Sequence, residues 1–284
     1  MEGCRLMKSI KDFILTSYSY LTSKINPYGL PLFFSFFIDE GKRLPFLLIA
    51  PSRRQIKAAK REFERVKKGF PYVSGIDKKI RNNKNTCILD IGANVGYTSL
   101  SYANRWPNAK IVCVEPYLPN LYYLMWNTRD KDNFICMPFG VGTRDGFSVI
   151  DSAISGVDSK EINTGLSSFT ETNSLQDIRI QDVVSIRSVA SLIATVRDRF
   201  DIAFIKVDIE GYDVSIARFI IEQYVQHSES VVVQFEVNPG LSDMDELHLL
   251  VEYLDENDIE YCLEDELAVS HGKTTDMFVN VRHK

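Results

Sequence analysis

Residues 86–96 read TCILDIGANVG, an apolar run that ends on an acid and passes into a turn with two glycines. The run lacks any polar break before Asp90, as expected of a strand buried on both faces of a parallel sheet. Gly92 and Gly96 permit left-handed backbone and close approach to a ligand. Residues 97–104 then read as a helix, whose first turn presents oriented N–H groups.

The alternation continues outward from this point. Residues 109–115 (AKIVCVE), 134–139, 201–208 (DIAFIKVD) and 230–237 (SVVVQFEV) read as strands. Residues 118–127, 188–199, 214–225 and 243–256 read as helices, and residues 259–263 and 275–281 as two closing strands. Strand–helix alternation at this spacing predicts an α/β fold, a mostly parallel sheet covered by helices on both faces. Ligands of such sheets bind at the carboxyl ends of the strands. Residues 140–182 read as a polar stretch with β-like pieces only near residues 147–151 and 166–170.

The turn spacing excludes a dinucleotide. A pyrophosphate site wants G-x-G-x-x-G, whereas Asn94 stands two residues after Gly92 and the next glycine is Gly96. Asp90 precedes the turn, poorly placed for a pyrophosphate and well placed for a cation. The expected ligand is cationic or zwitterionic with little phosphate, which favours S-adenosyl-L-methionine. Glu115 ends the second strand, where an acid commonly bonds both ribose hydroxyls of a nucleoside.

In order, DIGANVGYTSL, VEPYLPN, IKVDIEGYDV, VVVQFEVNP and DMFVNV resemble the motifs of the FkbM family of S-adenosylmethionine-dependent methyltransferases, over about residues 84–284. The resemblance implies a seven-stranded Rossmann-like sheet of order 3-2-1-4-5-7-6 with the last strand antiparallel. It also implies methylation of hydroxyls on sugars, glycolipids or polyketide-like products. By that resemblance Asp90, Gly92, Ala93, Asn94 and Gly96 would surround the methionine part of the cofactor. Glu115 would hold the ribose, Pro116 would shape the adenine side, and Val141 and Gly142 would lie by the adenine. The chain departs from the family in reading SIRSVASLI (residues 185–193) where members often carry an acid in a T-L-D-like segment that helps shape the acceptor pocket.

An alcohol is a weak nucleophile at neutral pH and needs a base or a metal. Asp208, Glu210 and Glu236 stand at predicted carboxyl ends of central strands and are the catalytic candidates. In one scheme Asp208 or Glu210 is a general base for a sugar hydroxyl. In the other, Asp208, Glu236 and Asn238 gather Mg²⁺, which would lower the pKa of two adjacent hydroxyls. Lys206 is expected to pair with a nearby strand-end acid. An N-P-P-Y or D-P-P-Y segment is lacking after the fourth strand, which disfavours base N-methylation.

With 33 basic against 38 acidic residues among 284 and a net charge of −5, the chain lacks the basic excess of a duplex-binding protein. Five cysteines without a C-x-x-C read as reduced thiols in a cytoplasmic compartment. Residues 1–82 read as a mostly helical N-terminal extension before a methyltransferase domain at residues 83–284. Its apolar runs at 30–38 and 44–50 are too short to span a bilayer. Ile56, Ala59, Phe63 and Val66 fall at helical spacing within a basic stretch. Residues 30–68 are therefore a candidate for peripheral membrane contact, and the extension for an acceptor cap or dimer surface. The competing functional class is a non-catalytic cofactor-binding module, docked through this basic helix to a membrane or a polysaccharide-assembly complex.

Overall fold

The computed structural model describes residues 33–37, 46–50, 57, 61, 80–154, 162–168, 178–209, 211–265 and 267–282, with the backbone alone at 33–37, 46–50, 151–154, 162–168 and 178–181. The chain order is β1 (Phe33–Phe37), β2 (Phe46–Ala50), β3 (Thr86–Ile91), α1 (Tyr97–Arg105), β4 (Lys110–Val114), α2 (Leu118–Thr128) and β5 (Phe134–Met137). Then follow β6 (Gly140–Gly142), β7 (Gly146–Ile154), β8 (Ile162–Ser168), β9 (Ile178–Ser188), α3 (Val189–Arg197), β10 (Asp201–Val207) and α4 (Asp213–Gln226). The chain closes with β11 (Val231–Val237), α5 (Met244–Glu256), β12 (Glu260–Leu263), a 3₁₀ turn (Val269–His271) and β13 (Thr275–Val281).

The main sheet runs β5-β4-β3-β10-β11-β13-β12. In the order of its seven strands along the chain this is 3-2-1-4-5-7-6. The strands from β5 to β11 are mutually parallel, and β13 runs antiparallel to both β11 and β12. Successive residues of a strand point to opposite faces, and both faces are filled. Ile88, Ile111, Phe204 and Val232 pack with Tyr102 of α1 and Leu124 of α2. Leu89, Ile91, Ile205 and Val233 pack with α3, α4 and α5 through Ile193, Ile220 and Leu250. The apolar runs of the sequence are continuous because neither face is wet.

Two features depart from the sequence expectation. Between Gly140 and Ser188 the strands β6, β7, β8 and β9 form a second sheet of order β6-β9-β7-β8; the β-like pieces expected near residues 147–151 and 166–170 fall on β7 and β8, whereas β6 and β9 were not expected. This sheet pairs β7 with β9 antiparallel from Gly146↔Ile186 to Ile154↔Ile178. One face is anchored, where Ile150 and Val184 pack on Tyr117 at the start of α2. The other leaves Phe147, Val149 and Val183 exposed. Within the extension, β1 and β2 pair antiparallel from Phe33↔Ala50 to Phe37↔Phe46, where mostly helix was expected. Phe33–Phe37 is aromatic-rich and Phe46–Ala50 an unbroken apolar run, and five-residue apolar runs suit a strand pair better than a helix. Lys57 and Arg61 have helical backbone; the rest of the basic amphipathic stretch lies outside the described residues. Among the described residues no helix is long and apolar enough to cross a membrane.

Candidate active site

The turn after β3 contains three positive φ angles, at Gly92 (82°), Asn94 (51°) and Gly96 (85°). A Cβ on Gly92 would stand 1.8 Å from the carbonyl oxygen of Asp208, so the close approach that requires glycine there is between two segments of the chain. A Cβ on Gly96 would meet Leu124 Cδ1 at 2.5 Å. The turn's N–H groups are directed inward. Those of Gly92 and Ala93 donate to the Val114 carbonyl, that of Gly96 to Ala93, and that of Asn94 to Glu115 Oε2 at 2.8 Å. Val95 N–H donates to Asn94 Oδ1 at 2.8 Å. No ring of free N–H groups remains at these five positions for a phosphate, in keeping with the spacing argument.

Glu115 is buried and ties the first two strand ends together. Its Oε1 accepts from Tyr117 N–H at 2.9 Å and from Asn120 Nδ2 at 3.4 Å. Burial pushes its carboxyl up to about 7, against the pull of the Tyr117 and Asn94 N–H donors. A carboxylate has about four lone-pair sites, so three internal donors leave capacity for a hydroxyl.

Asp90 is fully buried. Its Oδ2 accepts from the Ser99 hydroxyl of α1, and its Oδ1 has no hydrogen-bond partner. Lys206 lies beside it in register on β10 and reaches two carboxylates, Asp208 Oδ2 at 2.8 Å and Asp90 Oδ1 at 3.6 Å. Burial works against the charge on Lys206, but Asp208 and Asp90 outweigh it and hold its pKa well above the ordinary lysine value. Burial also raises the Asp90 carboxyl, and Lys206 and Ser99 restrain that rise. One row deeper than Asp208, Gln234 of β11 accepts from the Tyr102 hydroxyl at 3.1 Å.

Asp208 follows β10, anchored by its N–H to the Ile91 carbonyl at 2.9 Å, with its side chain about one-third exposed. Of the sequence candidates it is the one the structure places on the rim with a fixed charge partner. Glu210 lies outside the described residues. Asp213 is a residue the sequence reading missed. Asp213 is buried, and its two oxygens accept from Ile209 N–H at 2.7 Å and Gly211 N–H at 3.0 Å. Burial, with Asp208 adding to it, pushes the Asp213 carboxyl up to about 7. An acid two residues after Gly211 at a helix start was the available signal.

The three residues of the metal scheme each have partners of their own. Asn238 Oδ1 accepts from Gly240 N–H at 3.1 Å in a local turn, and Asp208 is paired with Lys206. Glu236 sits one residue beyond the Val207↔Phe235 pair, opposite Asp276 of β13. Among the described residues no group of three histidine, cysteine or acidic side chains converges. Of the alternative Mg²⁺ set, Asp208 is therefore engaged by Lys206 and the Asn238 amide oxygen by its own turn. In the departing segment, Ser188 caps α3, its hydroxyl accepting from Ser191 N–H at 3.2 Å. Val141 is buried and Gly142 half-buried at the end of β6, and Pro116 is half-buried between Glu115 and Tyr117. Cys87 and Cys113 are buried free thiols, and burial pushes Cys87 up to about 12.

The description "Methyltransferase FkbM domain" matches residues 90–255, more than half of the chain. The chain belongs to the FkbM methyltransferase family. No curated protein matches it. Among solved structures, TYW2 of M. jannaschii in complex with AdoMet is 13% identical, with 87% of this chain and 84% of that chain covered and a TM-score of 0.38. Precorrin-6y C5,15-methyltransferase of Geobacter metallireducens is 12% identical, over 75% and 91%, at 0.39. Fibrillarin of Aeropyrum pernix with bound S-adenosyl-L-methionine is 11% identical, over 79% and 74%, also at 0.39. Scores this low carry no chemistry across. In this FkbM domain the matched span begins at Asp90, the buried acid of the glycine turn, and reaches through α5.

Proposed function

We propose that this FkbM methyltransferase uses S-adenosyl-L-methionine to methylate a hydroxyl of a sugar, glycolipid, polysaccharide or glycosylated metabolite. The observation that carries the reading is the Asp90–Lys206–Asp208 cluster. It joins a buried acid with an unbonded oxygen below the glycine turn to a rim carboxylate at the next strand end. The negative charge of Asp90, whose Oδ1 has no hydrogen-bond donor and only the Lys206 ammonium 3.6 Å away, and the residual acceptor capacity of Glu115 fit a ligand with a cationic end and a ribose. When bound, S-adenosylmethionine supplies a methyl carbon on a sulfonium leaving group, so the chain must position the acceptor and remove its proton. Asp90 contributes negative charge beneath the cationic end. Glu115 would accept from a ribose hydroxyl. Asp208 would take the proton of the acceptor hydroxyl and so make that oxygen the nucleophile for the cofactor's methyl group. Lys206 fixes the Asp208 carboxylate for that task.

Calorimetric titration with S-adenosylhomocysteine, with NAD as control, tests the cofactor. Micromolar binding of the first ligand only is expected, weakened at least about tenfold in Glu115→Ala, roughly 1.4 kcal/mol. Ribose hydroxyls favour the ionised form of Glu115, so affinity rises with pH through the free group's value near 7. Below that value it falls by about tenfold per pH unit, and above about pH 8 it is flat. A profile flat from pH 6 to 8 would remove Glu115 from the ribose site.

Asp208→Asn tests the base. Production of S-adenosylhomocysteine in the presence of a glycan panel should drop by about 10²–10⁴-fold, while binding of S-adenosylhomocysteine changes little. Turnover within tenfold of wild type would shift the base role to another group, Glu210 first.

A further inference from the structure

An open cleft of about 420 Å³ lies between the β6–β7 turn and the start of α4. It is bounded on one side by Val141 and Gly142 and on the other by Tyr212, four residues beyond Asp208. It thus begins at the edge assigned to the cofactor's adenine side and ends at the first turn of α4, which follows the segment of Asp208. Two aromatic side chains line it in unusually wet positions: Phe147 is 80% exposed and Tyr212 is 47% exposed. Core packing does not account for them. An apolar cleft walled by aromatic rings, with a few polar groups at its mouth, has the composition of a small-molecule site.

The cleft lining carries one cation, Arg144, and one acid, Asp145, whose Oδ1 is engaged by Ser188 N–H at 2.6 Å. Arg144 is exposed beside it, and no described carboxylate lies within ion-pair distance of its guanidinium. A free guanidinium presents a planar fork of donors that matches carboxylate and phosphate oxygens. The hydroxyls of Thr143, Ser148 and Ser215 lie along the same walls.

We propose that this cleft is the acceptor subsite, that Phe147 and Tyr212 flank the sugar ring, and that Arg144 selects an acceptor bearing a phosphate or carboxylate. The inference rests on the hydroxyl-methylating reading above and names its substrate class. Neutral sugars fill the aromatic walls but leave Arg144 without a partner.

Saturation-transfer NMR titrations test this with glucose 1-phosphate, glucuronic acid and the neutral methyl α-glucoside. The proteins are wild type, Arg144→Gln and Phe147→Ala, and S-adenosylhomocysteine affinity is measured on each. Both substituted side chains are exposed, so folding is unaffected. The expected result is binding of at least one anionic sugar about tenfold more tightly than the neutral one, roughly 1.4 kcal/mol. That preference is lost in Arg144→Gln, all sugars weaken in Phe147→Ala, and S-adenosylhomocysteine affinity stays within twofold. The phosphate and carboxylate arms tell the two anions apart. Equal binding of neutral and anionic sugars, no sugar binding, or no effect of either substitution would overturn the proposal. So would a loss of S-adenosylhomocysteine affinity in the variants, which would make the cleft part of the cofactor site. Sugar binding is read without cofactor, so failure of wild type to bind S-adenosylhomocysteine would strike the cofactor reading alone.

Discussion

Gly92→Ala is expected to lower the melting temperature by about 10 °C and to abolish methyl transfer. Two separate effects add at this position. The backbone sits at φ 82°, in left-handed space, which costs a non-glycine residue roughly 1–3 kcal/mol. The new methyl would also lie 1.8 Å from the Asp208 carbonyl oxygen and 2.7 Å from its carbon. Those atoms are backbone and cannot rotate away, so β3 and β10 must separate at their carboxyl ends. Overpacking of this kind costs about 1–3 kcal/mol more. At a sum near 4 kcal/mol, a shift of about 2–4 °C per kcal/mol gives the stated drop. Gly272→Ala separates the two causes. Gly272 is also left-handed, at φ 66°, but a Cβ there meets nothing within 4 Å. Thermal denaturation of both variants should show a loss about twofold larger for Gly92→Ala. Equal losses would mean that strain alone matters and that the contact with Asp208 relaxes freely. Activity should vanish in Gly92→Ala alone, because the displaced segment carries the rim carboxylate.

That contact shows what the sequence discloses and what it withholds. The string around Gly92 was legible as a strand, turn and helix start, because an unbroken apolar run and a glycine pair constrain local backbone strongly. Its reason was not legible, since Asp208 is distant in the chain and pairing registers leave no local mark. Asp90 and Glu115 were readable as strand-end acids. The pairing of Lys206 with a strand-end acid was legible too, whereas the partners Ser99, Asn94, Tyr117 and Asn120 follow from tertiary placement. Strand β9 of the second sheet escaped for a different reason. In β9, polar residues interleave with apolar ones, and adjacent Val183 and Val184 break the alternation by exposing one and burying the other. Anchoring to Tyr117, and not residue pattern, decides which of them turns inward. Asn-Pro-Gly is also a turn signature, and Asn238 Oδ1 accepts from Gly240 N–H in such a turn.

Lys206→Met should destabilise the protein by about 3–5 kcal/mol, the usual cost of stripping one partner from a buried ionic cluster. Lys206 is nearly fully buried, and no described group but its ammonium lies within ion-pair distance of Asp90 and Asp208. Without it, Asp90 keeps the Ser99 hydroxyl alone against complete desolvation. Burial already raises the Asp90 carboxyl, and removing the cation raises it further. A carboxyl with a folded pKa above its unfolded value binds protons more tightly in the native state. The contribution to stability then falls as pH rises from the unfolded value, near 4, towards the folded one. The variant should therefore be relatively less stable at pH 8 than at pH 5, compared with wild type. Asp90→Asn in the Lys206→Met background removes the stranded charge and should recover a large part of the loss. Urea denaturation of the two single variants and the double variant measures the coupling. A non-additivity of at least about 1 kcal/mol is expected for groups in direct contact. Strict additivity would show that Asp90 and Lys206 do not act as a pair. Catalysis should not recover with stability. The double variant has lost the negative charge proposed to sit beneath the cationic cofactor and the ammonium that holds Asp208. A refolded but inactive double variant, weak in S-adenosylhomocysteine binding, is the outcome that separates the cluster's structural role from its chemical one.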